Sequence, residues 1–117
     1  MSLNLYLKTD KFKNNMGMLM YFRDELSKLG YKLGSPVDED CMCSIECIID
    51  NEVITLFMGK NDEESSPPIW QIWPEQNVSI LKKLFSKADK APEVKAKALI
   101  EQIAQGIAGV DGVEWAI

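Results

Sequence analysis

The sequence predicts an α+β fold: a two-layer sandwich in which helices pack over one face of an antiparallel sheet. Two observations predict it, a β-hairpin pattern at residues 42–58 and amphipathic helical patterns on either side of it. With 117 residues, the chain is expected to form one domain over residues 1–117, with a core that needs no disulfide or metal to hold it together.

The hairpin is the strongest local signal in the chain. Two β-rich runs meet at Asp50 and Asn51, residue types that tolerate positive φ in a tight turn. With this turn, Ile48 faces Val53, and the pairing continues residue by residue toward both ends of the hairpin. Because side chains alternate along a strand, one face of the hairpin is then strongly apolar. Its members are Ile45, Cys47, Ile49, Ile54 and Leu56.

Two further strands are predicted at residues 69–73 and 113–117, and residues 3–7 indicate another short one near the N-terminus. Prolines enclose residues 69–73, with Pro74 closing the run. Proline lacks the backbone N–H that a long central strand needs, so we expect this run to be a short strand or an edge of the sheet. An unpaired edge there would make a homodimer plausible.

Three helices are predicted, at residues 11–29, 78–86 and 92–108. Thr9 or Asp10 is the expected N-cap of the first helix, and Met18 is expected to point away from Met16 and Met20. The third helix should begin near Pro92, because proline is tolerated in a first turn. The stripe of the first helix contains Phe12, Met16, Leu19, Met20, Phe22, Leu26 and Leu29, and that of the third contains Leu99, Ile100, Ile103 and Ile107.

Acidic and basic residues are concentrated in different segments of the sequence. The net charge is −5, but residues 38–75 contain ten acidic residues and one lysine, a net −9, whereas residues 76–100 carry a net +4. A nucleic acid is not expected as a partner, because phosphate contacts need a concentrated basic face.

No apolar run is long enough for a membrane helix, and the N-terminus lacks the pattern of a secretory signal. Three cysteines, an odd number, favour free thiols in the cytoplasm.

The residue types argue against catalysis. The chain contains no histidine and neither of the common glycine-rich phosphate-binding motifs, so we expect no enzyme and no cofactor. A histidine-free enzyme would need a cleft where two carboxylates converge. Cys41, Cys43 and Cys47 share one parity and could face the same way to hold a soft metal ion with Met42 or Met58. Packing in the core is the favoured interpretation of these cysteines.

The candidate functional residues lie around the open end of the hairpin. The strand ends far from the turn bring two acidic triplets toward each other, and clustered carboxylates would attract a basic protein. A solvated acidic rim is an equally good interpretation of the triplets. Two tryptophans three residues apart should face opposite ways, one in the core and one on the surface, where it would suit an interface. The predicted partner-binding residues are Asp38, Glu39, Asp40, Asp62, Glu63, Glu64, Trp70 and Trp73.

In size, acidity and sheet-plus-helix layout the chain resembles bacterial immunity proteins and small type III secretion chaperones. The resemblance is limited to this overall layout and includes no diagnostic motif. The chain departs from the chaperone pattern after Trp73, where two predicted helices follow closely without an intervening hairpin. It implies a small soluble protein-interaction module that restrains or escorts a basic partner. The alternative is a module that binds a small molecule or metal through the cysteines or through Ile48, Val53 and Phe57.

Overall fold

A computed structural model describes residues 3–76 and 91–117, which form an antiparallel sheet of seven strands and two helices. This is the predicted two-layer α+β fold. The predicted helix at residues 78–86 lies outside the described residues. The elements are β1 (Asn4–Lys8), α1 (Asn15–Lys28), β2 (Lys32–Leu33), β3 (Val37–Asp38), β4 (Cys43–Ile49), β5 (Glu52–Lys60), β6 (Ile69–Gln76), α2 (Ala91–Gln105) and β7 (Asp111–Ala116).

The hairpin prediction is confirmed in its turn and in its register. Asp50 and Asn51 have φ values of 52° and 66°, and Ile48 pairs with Val53. The predicted apolar face is buried throughout, since none of its five side chains is more than 1% exposed. The sheet continues on both sides of this hairpin, in the order β4-β5-β6-β1-β7, with β2 and β3 both paired to the outer side of β4.

The core lies between this inner face of the sheet and the two helices. From α1 it takes Met18, Leu19, Phe22 and Leu26, and from α2 it takes Ala96, Ile100, Ile103 and Ala104. Ile107, just after α2, is also buried, as predicted from its place in the apolar stripe of this helix. Neither described helix is long and apolar enough to cross a membrane.

The first helix begins later than predicted. Asn14, not Thr9 or Asp10, is the N-cap, and its side-chain Oδ1 accepts a hydrogen bond of 2.7 Å from the N–H of Gly17. Phe12 is therefore buried ahead of the helix, where its ring meets those of Tyr21 and Trp70. Met18 is fully buried and belongs to the core although the predicted stripe did not contain it, whereas Met16 and Met20 are partly buried.

Strand β6 is longer and more central than predicted. It runs to Gln76 and passes through Pro74. Because β1 pairs with residues 69–72 of β6 and β5 pairs with residues 70–76, the strand lies inside the sheet, and the prediction of an edge at Trp70 was wrong. Pro74 lies beyond the last pairing with β1, where its missing N–H is tolerated on that side. Among the described strands, β7 pairs with β1 alone and occupies the edge instead.

Candidate functional site

The two acidic triplets belong to loops at the same end of the sheet. One loop joins β3 to β4 and follows the pairing of Asp38 with Cys43. The other joins β5 to β6 and follows the pairing of Lys60 with Trp70. Both loops lie at the end opposite the turn at Asp50, because β4 and β5 are antiparallel neighbours and Cys43 pairs with Met58. We call residues 38–42 and 61–66, with Lys60, the acidic end.

Asn15, the first residue of α1, connects the two loops of the acidic end. Its side-chain Nδ2 donates a hydrogen bond of 3.2 Å to the carbonyl oxygen of Cys41. Its Oδ1 accepts a hydrogen bond of 2.9 Å from the N–H of Lys60. One amide side chain therefore satisfies a backbone acceptor of one loop and a backbone donor beside the other. Both loops are thereby tied to the start of α1.

Each loop is also shaped by its own hydrogen bonds. Asp40 has φ 66°, and its N–H donates to Oδ1 of Asp38 at 3.1 Å. The N–H of Glu39 donates to the carbonyl of Met42 at 2.8 Å, which closes the first loop as a short hairpin connection. In the second loop, Asn61 Oδ1 accepts from the N–H of Glu63 at 2.8 Å. Hydrogen bonds within each loop therefore hold in place the backbone that carries the acidic side chains.

A groove of about 780 Å³ lies between the loops. Its lining contains Asp62, Glu63 and Glu64 from the second loop but only Cys41 from the first, so the residues at 38–40 lie beside the groove and not in it. All six predicted carboxylates are exposed. Within residues 3–76 and 91–117, no group of three or more acidic, cysteine or histidine residues could hold a metal ion. The carboxylates are spread over a surface, an arrangement suited to a partner with dispersed positive charge.

The two tryptophans lie on opposite faces of the sheet, as their spacing predicted. Trp70 is 1% exposed, and its indole Nε1 donates a hydrogen bond of 2.9 Å to the carbonyl of Thr9. It is a core residue and offers no surface to a partner. Trp73 lies on the opposite face of the sheet, half-buried, with its ring stacked on that of Phe57. Of the two tryptophans predicted to bind a partner, only Trp73 lies where it can do so.

The cysteines do not form a common set. Cys43 and Cys47 are fully buried on the inner face of β4, whereas Cys41 is exposed in the loop before the strand. Burial raises the pKa of Cys47 from an ordinary 9.0 to about 11. Burial also raises the pKa of the Cys43 thiol, with smaller contributions from the charges of Asp38 and Glu39. Both buried groups are thus held as thiols, the form that neither binds a metal nor attacks a substrate.

The role of Asn15 was not visible in the sequence. A helix predicted from residue 11 places Asn15 one turn inside it, where an asparagine carries no special meaning. Its bridging role depends on the later start of α1 and on the pairing of β4 with β5, which bring residues 41 and 60 to the same side chain. The neighbouring Asn14 is the one local signal, as a residue type favoured at helix N-caps.

Comparisons of the chain with protein-family models, with curated proteins and with solved structures each found no match.

Proposed function

We propose that this protein is an interaction module that binds a basic partner protein through its acidic end. The observation that supports the proposal best is the double hydrogen bond of Asn15, which ties both acidic loops to the start of α1. A surface whose loop backbone is held in place loses less conformational entropy on binding than one on unrestrained loops. In this proposal the protein acts by binding and not by catalysis, in the manner of proteins that restrain or escort a partner.

Charge is the second support for the proposal. Residues 38–75 carry a net −9, and Lys60 is their only basic residue. Such a concentration of exposed negative charge accelerates the approach of a positively charged protein, and salt screens the effect. A soluble cytoplasmic setting fits this role, since it would keep the three cysteines as thiols.

The proposal is tested with loop variants that keep the size of each side chain. D38N/E39Q/D40N and D62N/E63Q/E64Q each remove three charges from the acidic end. The matched control D24N/D50N/E114Q removes three charges from exposed residues elsewhere. The unmodified protein and the three variants are immobilised, and bound proteins from a native lysate are quantified by mass spectrometry. Urea unfolding of each variant checks that the fold is retained.

We expect the unmodified protein to capture at least one protein with a basic surface, and each loop variant to retain roughly a tenth of it. The control variant should retain most of the captured partner. Raising the ionic strength from about 0.05 M to about 0.5 M should release the partner from the unmodified protein. If the control loses as much partner as the loop variants, overall charge and not the acidic end drives binding, and the proposal is wrong. Failure to capture any basic protein would also contradict it.

A further inference from the structure

The outer face of the sheet, on the side away from the two described helices, carries a second distinctive surface. On the three strands β4, β5 and β6, the outward residues of this face include two acids, Glu46 and Glu75, and no basic residue. The other outward residues of these strands are Ser44, Ile48, Val53, Thr55, Phe57, Gly59, Ile69, Gln71 and Trp73. Apolar side chains and negative charge are therefore combined on these three strands, while Lys32 of β2 and Lys8 of β1 lie on the neighbouring strands of the same face.

An aromatic pair lies near the middle of this face. Phe57 of β5 and Trp73 of β6 are direct cross-strand partners. Their ring centroids are 5.6 Å apart and their planes differ by 16°, the geometry of an offset stack. Both rings are half-buried, and neither belongs to the core beneath the sheet. Each ring therefore covers one face of the other, and the backbone of two paired strands holds the pair in place.

Two carboxylates lie in the row of cross-strand partners next to the aromatic pair. Thr55 pairs with Glu46 on one side and with Glu75 on the other. Glu75 is two residues from Trp73 on β6, so their Cα atoms are about 7 Å apart, and neighbouring strands are separated by about 4.8 Å. Both glutamates are exposed. The register therefore brings two negative side chains beside the aromatic pair.

We propose that this aromatic–carboxylate surface binds an arginine side chain of the basic partner, an inference that rests on the proposed function. A guanidinium group is planar, stacks on aromatic rings and donates several hydrogen bonds to carboxylates. The ring faces that Phe57 and Trp73 do not cover in each other supply the stacking surface, and Glu75, with Glu46 across the row, supplies the acceptors. A purely apolar partner would desolvate both glutamates without compensation, which opposes its binding here.

Lysine fits this surface less well than arginine. Its ammonium group is compact and strongly hydrated, so it gains less from lying on an aromatic ring than the weakly hydrated guanidinium does. Citrulline has the shape of arginine without its charge. A peptide series that differs only in these residues therefore separates stacking from charge.

The experiment titrates the full-length, ¹⁵N-labelled protein with three heptapeptides, acetyl-GSRGRSG-amide and its lysine and citrulline versions. The readout is the indole Nε1–H signal of Trp73, identified by its loss in W73F. The indole groups of Trp70 and Trp115 are internal controls, because each already donates a hydrogen bond within the fold. The variants are E75Q and E46Q, with E114Q as the matched control on the outer side of the edge strand β7.

We expect the arginine peptide to shift the Trp73 signal, the lysine peptide to bind at least threefold more weakly and the citrulline peptide to have no effect. E75Q should weaken arginine binding about fivefold and E46Q about twofold, whereas E114Q should leave it unchanged. If the Trp73 signal does not move, or if lysine binds as well as arginine, the inference is overturned. Shifts confined to residues 38–42 and 61–66 would overturn this site while leaving the acidic end as the docking surface. If the loop variants capture the partner as well as the unmodified protein does while the arginine peptide still shifts the Trp73 signal, the acidic end is wrong as the docking surface and this site stands.

Discussion

Replacing Asn15 by alanine tests the physical basis of the acidic end directly. The change removes both hydrogen bonds that the side chain makes, to the N–H of Lys60 at 2.9 Å and to the carbonyl of Cys41 at 3.2 Å. A hydrogen bond contributes about 0.5–1.5 kcal/mol, and the exposed position puts each of these two in the lower half of that range, at about 0.75 kcal/mol. Alanine regains about 0.5 kcal/mol through its higher helix propensity. We therefore expect N15A to lower the free energy of unfolding by about 1 kcal/mol.

The adjacent residue provides a matched control. Asn14→Ala removes the N-cap hydrogen bond to Gly17, and losing such a cap costs about 1 kcal/mol. The two variants should therefore be similarly unstable in urea. They should differ in hydrogen exchange at the amide of Lys60, which loses its acceptor only in N15A. Loss of about 1 kcal/mol of local protection corresponds to roughly fivefold faster exchange relative to N14A.

A third variant separates the two bonds of Asn15. Asn15→Asp keeps an oxygen that can accept from Lys60 but replaces the donor that faces the carbonyl of Cys41 with a second acceptor. Exchange at Lys60 should stay slow in N15D, while the amide signals of residues 39–42 should shift. If N15A and N14A give the same exchange at Lys60, the side chain does not hold the loops. The loops of the acidic end would then not be preorganised by Asn15.

Three further outcomes are expected from the core and the turn. Asn51→Ala should destabilise the protein by about 1 kcal/mol in urea unfolding, because the residue has φ 66° and alanine disfavours that conformation, whereas N51G should not destabilise it. Trp70→Phe should cost about 2–4 kcal/mol and Trp73→Phe less than about 1 kcal/mol, and equal costs would contradict the placement of Trp70 in the core. Burial raises the folded-state pKa of Cys47 from 9.0 to about 11. The neutral thiol therefore contributes to the free energy of unfolding in full below pH 9, and this contribution is lost as the pH rises toward 11. Two units of pKa correspond to at most about 3 kcal/mol, so stability should fall less steeply over this range in C47A than in the unmodified protein.

The features that the sequence predicted correctly are those that depend on neighbours along the chain. The hairpin follows from two alternating runs and from Asp50 and Asn51 at the only point that allows a tight turn between them. The opposite placement of Trp70 and Trp73 follows from the two-residue period of a strand. In both cases the local pattern and the tertiary structure demand the same arrangement, so the prediction needed no knowledge of distant segments.

The features that the sequence did not predict depend on pairing between distant segments. Strand β6 looked like an edge because of its prolines, but it becomes internal when β1, some 60 residues earlier, pairs with residues 69–72. The start of α1 shifted because Phe12 packs against Tyr21 and Trp70 outside the helix. Asn15 acquires its role only when α1, β4 and β5 are all in place. No local pattern contains this information, since each case involves groups brought together by the complete fold.

The acidic end and the outer aromatic surface complement each other because they lie on the same strands. Exposed charge accelerates the encounter with a basic partner, but it discriminates poorly among basic proteins. A rigid stack such as that of Phe57 and Trp73 discriminates by shape, and it acts only at contact. From Phe57 to Lys60 is three residues along β5, about 10 Å, whereas one side of a typical interface of about 800 Å² is roughly 28 Å across. Under the proposed function, one basic partner would contact both surfaces at once, with the loops affecting mainly its association rate and the aromatic pair mainly its dissociation rate.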